Sequence, residues 1–344
     1  MAKILVIRLS ALGDVAMLVP AVASLAAQYP QDRIFVMTRQ AFAPLFQSLS
    51  FNVNVIPVDV NGKHKGFFGL MKLVGKCVGV GITHVADTHD VLRTKVIRWS
   101  LFLRGKKVKH IDKERELKKY IINTKDVSQP LKHSIDRYLA VFEKLGFPTE
   151  MTFENILDFV PKTENIEVLT GLKSENVKWI GIAPFARHQG KIYPLEKMEK
   201  VVKILSNQEN TKLYLFGAGR SETHILEEWA NKYPNTVNLA GKLTLDRELI
   251  LMGGMDLMVS MDSANMHLAS LVNTPVVSIW GATHPAFGFY GFRQDPENAI
   301  QVEGLSCRPC SVFGDAPCSR GDYACLNQID EEKVVVQINK VLGR

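Results

Sequence analysis

The chain has 344 residues, about twice an ordinary single-domain length, so two domains are expected. An apolar fraction of 46% and a charged fraction of 22% are those of a chain that buries a full core, which excludes a disordered or collagen-like polypeptide. No apolar run approaches the ~20 residues that span a bilayer. The opening "MAKILVIRLSALGD" has no signal-cleavage pattern and enters a strand at once, so a cytoplasmic protein is expected. The net charge of +7 is uneven: residues 1 to 160 hold 23 Lys and Arg against 14 Asp and Glu, and the rest 19 against 21. A basic first half suits an acidic partner (nucleic acid, anionic lipid or a phosphorylated sugar) and equally a merely well-solvated surface.

Taken in chain order, residues 3 to 9 read as a buried strand, and residues 14 to 28 carry helical apolar spacing. "RIFVMT" and "NVNVIPVD" are strands, "GLMKLVGKCV" a helix, "ITHVADT" a strand, "TKVIRWSLFLRG" a helix and "KVKHID" a strand. "HSIDRYLAVFEKLGF" closes the half as a helix stopped by Gly146 and Pro148. Residues 155 to 176 are polar and weakly periodic, and read as a linker. Alternation then restarts from "VKWIGIAPF" through "TKLYLFGAG", "TVNLAG", "DLMVSMD" and "PVVSIWG", with helices between. Such alternation predicts two doubly wound parallel α/β domains in series, with ligands held beyond the carboxyl ends of the strands in a cleft between the domains. The boundaries expected are 1–165 for the first domain, 176–325 for the second, and 326–344 for a last helix.

Several strand ends carry chemistry. "LSALGDVAM" places Asp14 where the first strand becomes a helix; a carboxylate there is either a helix start favoured by the dipole or a base. "MVSMDSANMHLAS" ends a strand at Met261 and opens a helix with Asp262, Ser263, Ala264 and Asn265. Small residues at a helix N-terminus favour a phosphate, whereas Asp262 suits sugar hydroxyls; both Asp262 and Ser263 also suit a simple cap. His267 either reaches the same site or packs in the core. "APFARHQGKIYP" offers Arg187, His188 and Lys191 to a pyrophosphate. In "LFGAGRSE", Gly217 and Gly219 permit close backbone approach, and Glu222 can accept from ribose hydroxyls, although the full dinucleotide fingerprint is missing.

The succession "LSALGDV", "APFARHQGKIYP", "LFGAGRSE", "MDSANMHLASLVNTPVVSIWGATHP" and "CRPC" closely resembles the bacterial heptosyltransferases of glycosyltransferase family 9 over nearly the whole chain. The resemblance implies the GT-B fold and an inverting transfer of heptose from ADP-heptose to the lipopolysaccharide inner core, with no cofactor required. It implies that residues 1–165 bind the acceptor, that 176–325 bind the nucleotide sugar and that the last helix, 326–344, crosses back to the first domain, with Asp14 as the general base and Gly13 beside it at the acceptor. Lys191 matches the lysine on donor phosphate and sugar, Asp262 the aspartate on heptose hydroxyls, and Ser263 and Ala264 the helix start under the diphosphate. His267 matches the histidine of that block. Arg187 stands where the family often has a hydroxyl residue, and the cationic replacement suits a phosphate site. His133 and Arg137 of "KHSIDRYL" resemble a family motif facing the acceptor. Other readings stay open: another nucleotide sugar, a GT-B-like epimerase, or a non-catalytic sugar-nucleotide binder.

From Arg93 to Lys119 the chain holds 11 Lys and Arg and three acids, with Trp99, Leu101, Phe102 and Leu103 among them. This stretch, Arg93 included, suits the anionic groups of a lipid-linked inner-core oligosaccharide or the cytoplasmic membrane face. An ordinary helix on a sheet explains it as well. No nucleic-acid-binding pattern is present. Cys77 sits alone in a helix, as a core residue would. Cys307, Cys310, Cys318 and Cys325 follow the spacing C-x2-C-x7-C-x6-C, which leaves reduced thiols, a structural zinc and disulfides open.

Overall fold

The structure, a computed structural model, describes residues 1–160, 171 and 173–344. The chain divides into two units, one of residues 1–113 and 132–160, the other of 114–131 and 161–344. Each is built on a parallel sheet, as the alternating apolar runs predict.

The first unit holds β1 (Lys3–Ile7), β2 (Arg33–Arg39), β3 (Val53–Val58), β4 (His84–Asp87) and β5 (Lys107–His110), in the order β3-β2-β1-β4-β5. All pairs are parallel, with Ile7 opposite both Met37 and Asp87. Parallel strands are covered on both faces, which is why β1 reads as an unbroken apolar run. Ile4, Leu5, Val6 and Ile7 are fully buried. Leu5 and Ile7 share a core with Leu70, Leu73, Val74, Ile97 and Leu101 of the two helices after β3 and β4. Cys77 belongs to this core, and burial pushes its thiol up to about 12. The helix Ser134–Lys144 and the segment that follows it also belong to this unit. Buried Ser24 holds that segment: its Oγ accepts from the backbone N–H of Thr152 at 3.0 Å and of Phe153 at 3.1 Å. Gln28 exchanges hydrogen bonds with the backbone of Glu150, and the Tyr29 hydroxyl donates to the Pro148 carbonyl.

The second unit holds β6 (Lys178–Ala183), β7 (Thr211–Leu215), β8 (Thr236–Asn238), β9 (Leu257–Met261), β10 (Val276–Ile279) and β11 (Ala299–Ile300), ordered β11-β10-β9-β6-β7-β8. β11, of two residues, is too short to show any period in the sequence. In each sheet the strand order reverses once, at β1/β4 in the first and at β6/β9 in the second. Such reversal points leave a crevice at the carboxyl ends of the strands, where open α/β sheets bind ligands.

The helix Glu331–Leu342 lies in the second unit, where Val334, Val335 and Ile338 are buried in the core with Ile180, Met198 and Leu257. Residues 114–131 leave the first unit for the second, where Ile121 and Leu131 pack on Phe287. The basic stretch from Arg93 is therefore divided between the two units. Of the expected linker, 155–160 carries a 3-10 turn, Ile156–Phe159, capped by Asn155; residues 161–170 and 172 lie outside the described residues.

Candidate active site

At the reversal point of the first unit, β1 ends at Ile7 with Arg8 next in the chain, and the helix Leu12–Ala16 starts five residues after Ile7. The Asp14 carboxylate accepts from the Ala11 backbone N–H at 3.1 Å, so the helix-start role is realised. The same oxygen, Oδ2, lies 2.6 Å from Nη2 of Arg8, whose side chain is almost fully enclosed. Arg8 also donates from Nη1 to the Thr88 carbonyl, across the reversal point, and its guanidinium sits 5.7 Å from the centre of the Tyr138 ring. The Tyr138 hydroxyl donates to the Asp14 carbonyl at 3.3 Å. Burial pushes that phenol up to about 12. Burial, reinforced by the Arg8 charge, pushes His89 down to about 3 and leaves a neutral ring. Its Nδ1 accepts from the Leu9 N–H at 3.4 Å, which puts the ring proton on Nε2, 3.3 Å from Ser10 Oγ. A neutral histidine thus ties the "LSALGD" turn to the end of β4.

Behind this rim, Asp87 accepts from the N–H groups of His89 and Asp90 and pairs with Arg98 at 2.9 Å. Of the residues expected near the acceptor, Gly13 adjoins Asp14 in the same helical turn. Arg137 is buried, with Nη2 2.9 Å from Ser134 Oγ, on the helix that carries Tyr138. His133 caps that helix, its Nδ1 accepting from the Ile135 N–H. Arg93 is exposed on the helix Leu92–Phe102, and among the described residues no hydrogen bond or ion pair joins it to this cluster.

At the reversal point of the second unit, the 3-10 turn Gln189–Lys191 follows β6 and Asp262 follows β9. Lys191 Nζ is 2.7 Å from Asp262 Oδ2, which also accepts from Thr283 Oγ1 at 2.7 Å. Lys191 lies 5.5 Å from the centre of the Phe289 ring. The capping role open to Asp262 and Ser263 is not taken up. Asp262 turns to Lys191 and Thr283, and Ser263, at the N-cap of the helix Ala264–Leu271, approaches Ser260 Oγ at 3.2 Å instead of the helix backbone. Ser263 and Ala264 are half-buried at the helix mouth, and His267 is buried within the helix.

Glu222 Oε2 accepts from the Ala218 N–H at 2.7 Å and clamps the glycine turn after β7. A Cβ at Gly217 would fall 2.9 Å from the Leu226 side-chain tip, and Gly219 takes a positive φ of 85°. Arg187 is exposed before the turn that carries Lys191.

Cys307, Cys310, Cys318 and Cys325 line one small cavity, and all five cysteines are free thiols. Among the described residues no three of His, Cys, Asp and Glu are arranged to hold a metal, so the zinc reading gains no support. What the cysteine-bearing loop does reach is Lys191. The Cys310 N–H donates to the Ala282 carbonyl, and a Cβ on Gly314 would lie 2.6 Å from Lys191 Cγ. Buried Arg308 donates to the carbonyls of Gly281 and Thr283, holding the turn that presents Thr283.

Sequence reading missed Arg8, His89, Thr283 and Arg308. The first was counted as strand, although "RLSALGD" puts a cation six residues before Asp14. Thr283 stood in the quoted "WGATHP" without a role.

A family model described as glycosyltransferase family 9 (heptosyltransferase) matches residues 100–315. Lipopolysaccharide heptosyltransferase 3 of Escherichia coli K12 is 25% identical over 303 residues, covering 84% of each chain. The lipopolysaccharide core heptosyltransferase OpsX of Haemophilus influenzae is 22% identical over 283 residues, covering 81% of this chain and 79% of that one. Among solved structures, a family 9 glycosyl transferase from Veillonella parvula superimposes with a TM-score of 0.74 at 20% identity, covering 99% of this chain and 97% of that one. E. coli heptosyltransferase WaaC with ADP-2-deoxy-2-fluoro heptose gives 0.69 at 17% identity, covering 98% and 99%. The two parallel α/β units have the GT-B fold of these neighbours.

Proposed function

The chain belongs to glycosyltransferase family 9, and on that premise we propose that this glycosyltransferase moves heptose from ADP-heptose to the inner core of lipopolysaccharide. One observation carries the reading: each sheet's reversal point presents a carboxylate paired with a cation, Asp14 with Arg8 and Asp262 with Lys191. Relatives named as lipopolysaccharide heptosyltransferases, and a neighbour holding an ADP-heptose analogue, support the donor and acceptor.

In this reading the acceptor hydroxyl attacks the anomeric carbon of the heptose while Asp14 takes its proton. The bond from the anomeric carbon to the diphosphate breaks, and ADP leaves with inverted configuration at the sugar. Lys191 and the N–H groups opening the helix Ala264–Leu271 offset the charge that develops on the leaving diphosphate. Asp262 and Thr283 take the heptose hydroxyls. The exposed Phe67, Phe68, Trp99, Phe102 and Leu103, set among lysines and arginines of the first unit, form the face that meets the membrane carrying a lipid-linked acceptor.

Incubation with ADP-heptose and a deacylated inner-core acceptor tests the proposal. The expected outcome is an acceptor heavier by one heptosyl residue, with one ADP released per product. ADP-heptose converted without any acceptor would point to an epimerase-type reaction and overturn it.

A further inference from the structure

The clamp on Asp14 is more than its helix start requires. A first-turn carboxylate caps a helix through a backbone N–H, and Asp14 already accepts from Ala11. Arg8 adds a second, charged partner on the same oxygen at 2.6 Å. It does so from a position where burial opposes its charge and the nearby Asp14 supports it. Its Nε is buried and has no hydrogen-bond partner among the described residues. Leaving such a donor unmet is unfavourable, so the placement of this guanidinium beside Asp14 is held against a cost.

We propose that Arg8 is a positioning residue for the transfer: its guanidinium holds the Asp14 carboxylate ionised and aimed at the acceptor, and its charge sets the acid limit of activity. This rests on the reading of Asp14 as the base. The groups packed around the pair come from three elements. Arg8 follows β1, His89 follows β4, and Tyr138 lies on the helix Ser134–Lys144. His89, pushed down to about 3, is neutral at working pH, and so is Tyr138, pushed up to about 12. Farther out, Arg39 and Lys113 act on His89, Arg137 on Tyr138, and Asp87 on Arg8. Arg8 is therefore a fixed charge in direct contact with the carboxylate. A cation at that distance favours the ionised carboxylate, so removing it lets protonation, and with it loss of the base, occur at higher pH.

The test is a pH profile of kcat/KM from pH 5 to 9 for the wild type, Arg8→Gln, Arg8→Lys and Asp14→Asn, using ADP-heptose and a deacylated inner-core acceptor. Thermal unfolding and ADP binding serve as fold controls. In Arg8→Gln the acid limb is expected to move up by about one pH unit, a tenfold loss on that limb, with partial recovery at high pH. Arg8→Lys is expected to keep the wild-type limb with a lower kcat. An Arg8→Gln profile lowered equally at every pH, or not lowered at all, overturns the proposal. Should Arg8→Gln not fold, a limb displaced upward in Arg8→Lys, where the charge is kept, overturns it as well. Full activity in Asp14→Asn would instead remove the base reading beneath it. An inactive Asp14→Asn with an unmoved Arg8→Gln limb removes the Arg8 inference alone.

Discussion

Asp14 begins a helix, as an isolated first-turn aspartate would, and Arg8 gives its carboxylate a charged partner that helix capping does not explain. That contact was hidden in sequence because Arg8 falls inside the run "KILVIRL", and only the fold shows that the strand stops at Ile7. Lys191 and Asp262 were legible as chemistry-bearing strand ends, but not as partners, since they lie 71 residues apart. Glycine at position 314 belongs to the same scale. Its φ of +76° disfavours any side chain, and an added Cβ would meet Lys191 Cγ at 2.6 Å. Gly314→Ala is expected to displace Lys191 and weaken ADP binding about tenfold or more, roughly the loss of one charge-assisted hydrogen bond. Calorimetric titration with ADP reads this directly. Unchanged affinity in a folded variant would remove Lys191 from the donor phosphates.

Strands and their helices were legible because a parallel strand buried on both faces leaves an uninterrupted apolar signature, and turn residues bound it. What the elements pack against was less legible. The helix Glu331–Leu342 has an apolar stripe that suits either sheet, and only tertiary fit assigns Val334 and Ile338 to the second unit. The segment after the helix Ser134–Lys144 stays with the first unit through Ser24, a buried hydroxyl that no periodicity marks. Ser24→Ala removes the acceptor for two backbone N–H groups at once. The variant is expected to lose about 1–3 kcal/mol of unfolding free energy, read by urea denaturation, with catalysis little changed below the transition. A loss below about 0.3 kcal/mol would mean that the segment is held by other contacts.

At the scale of the molecule, alternation of strand and helix predicted two parallel α/β units in a row, and these are present. The exchange of residues 114–131 into the second unit was not legible, because it rests on Ile121 and Leu131 meeting Phe287 more than 150 residues downstream. Among the described residues no helix is long and apolar enough to cross a membrane. The proposed membrane face sets exposed aromatics next to cations, so binding through it is expected to be salt-sensitive. Vesicles containing phosphatidylglycerol are expected to sediment the protein at low salt, and vesicles of phosphatidylcholine alone far less. A Phe68→Ser, Trp99→Ser double variant should lose most of that binding while keeping transfer to a soluble acceptor. Equal sedimentation of variant and wild type would place the contact elsewhere.

Asp14 is proposed to activate an acceptor hydroxyl against an ADP-sugar. The most direct measurement is ADP release from ADP-heptose by the wild type and Asp14→Asn, with and without a deacylated inner-core acceptor, alongside ADP affinity for both. Release that requires the acceptor, falls at least a hundredfold in Asp14→Asn and leaves ADP affinity unchanged is the predicted result. Wild-type release in Asp14→Asn would contradict the claim and return Asp14 to a helix start.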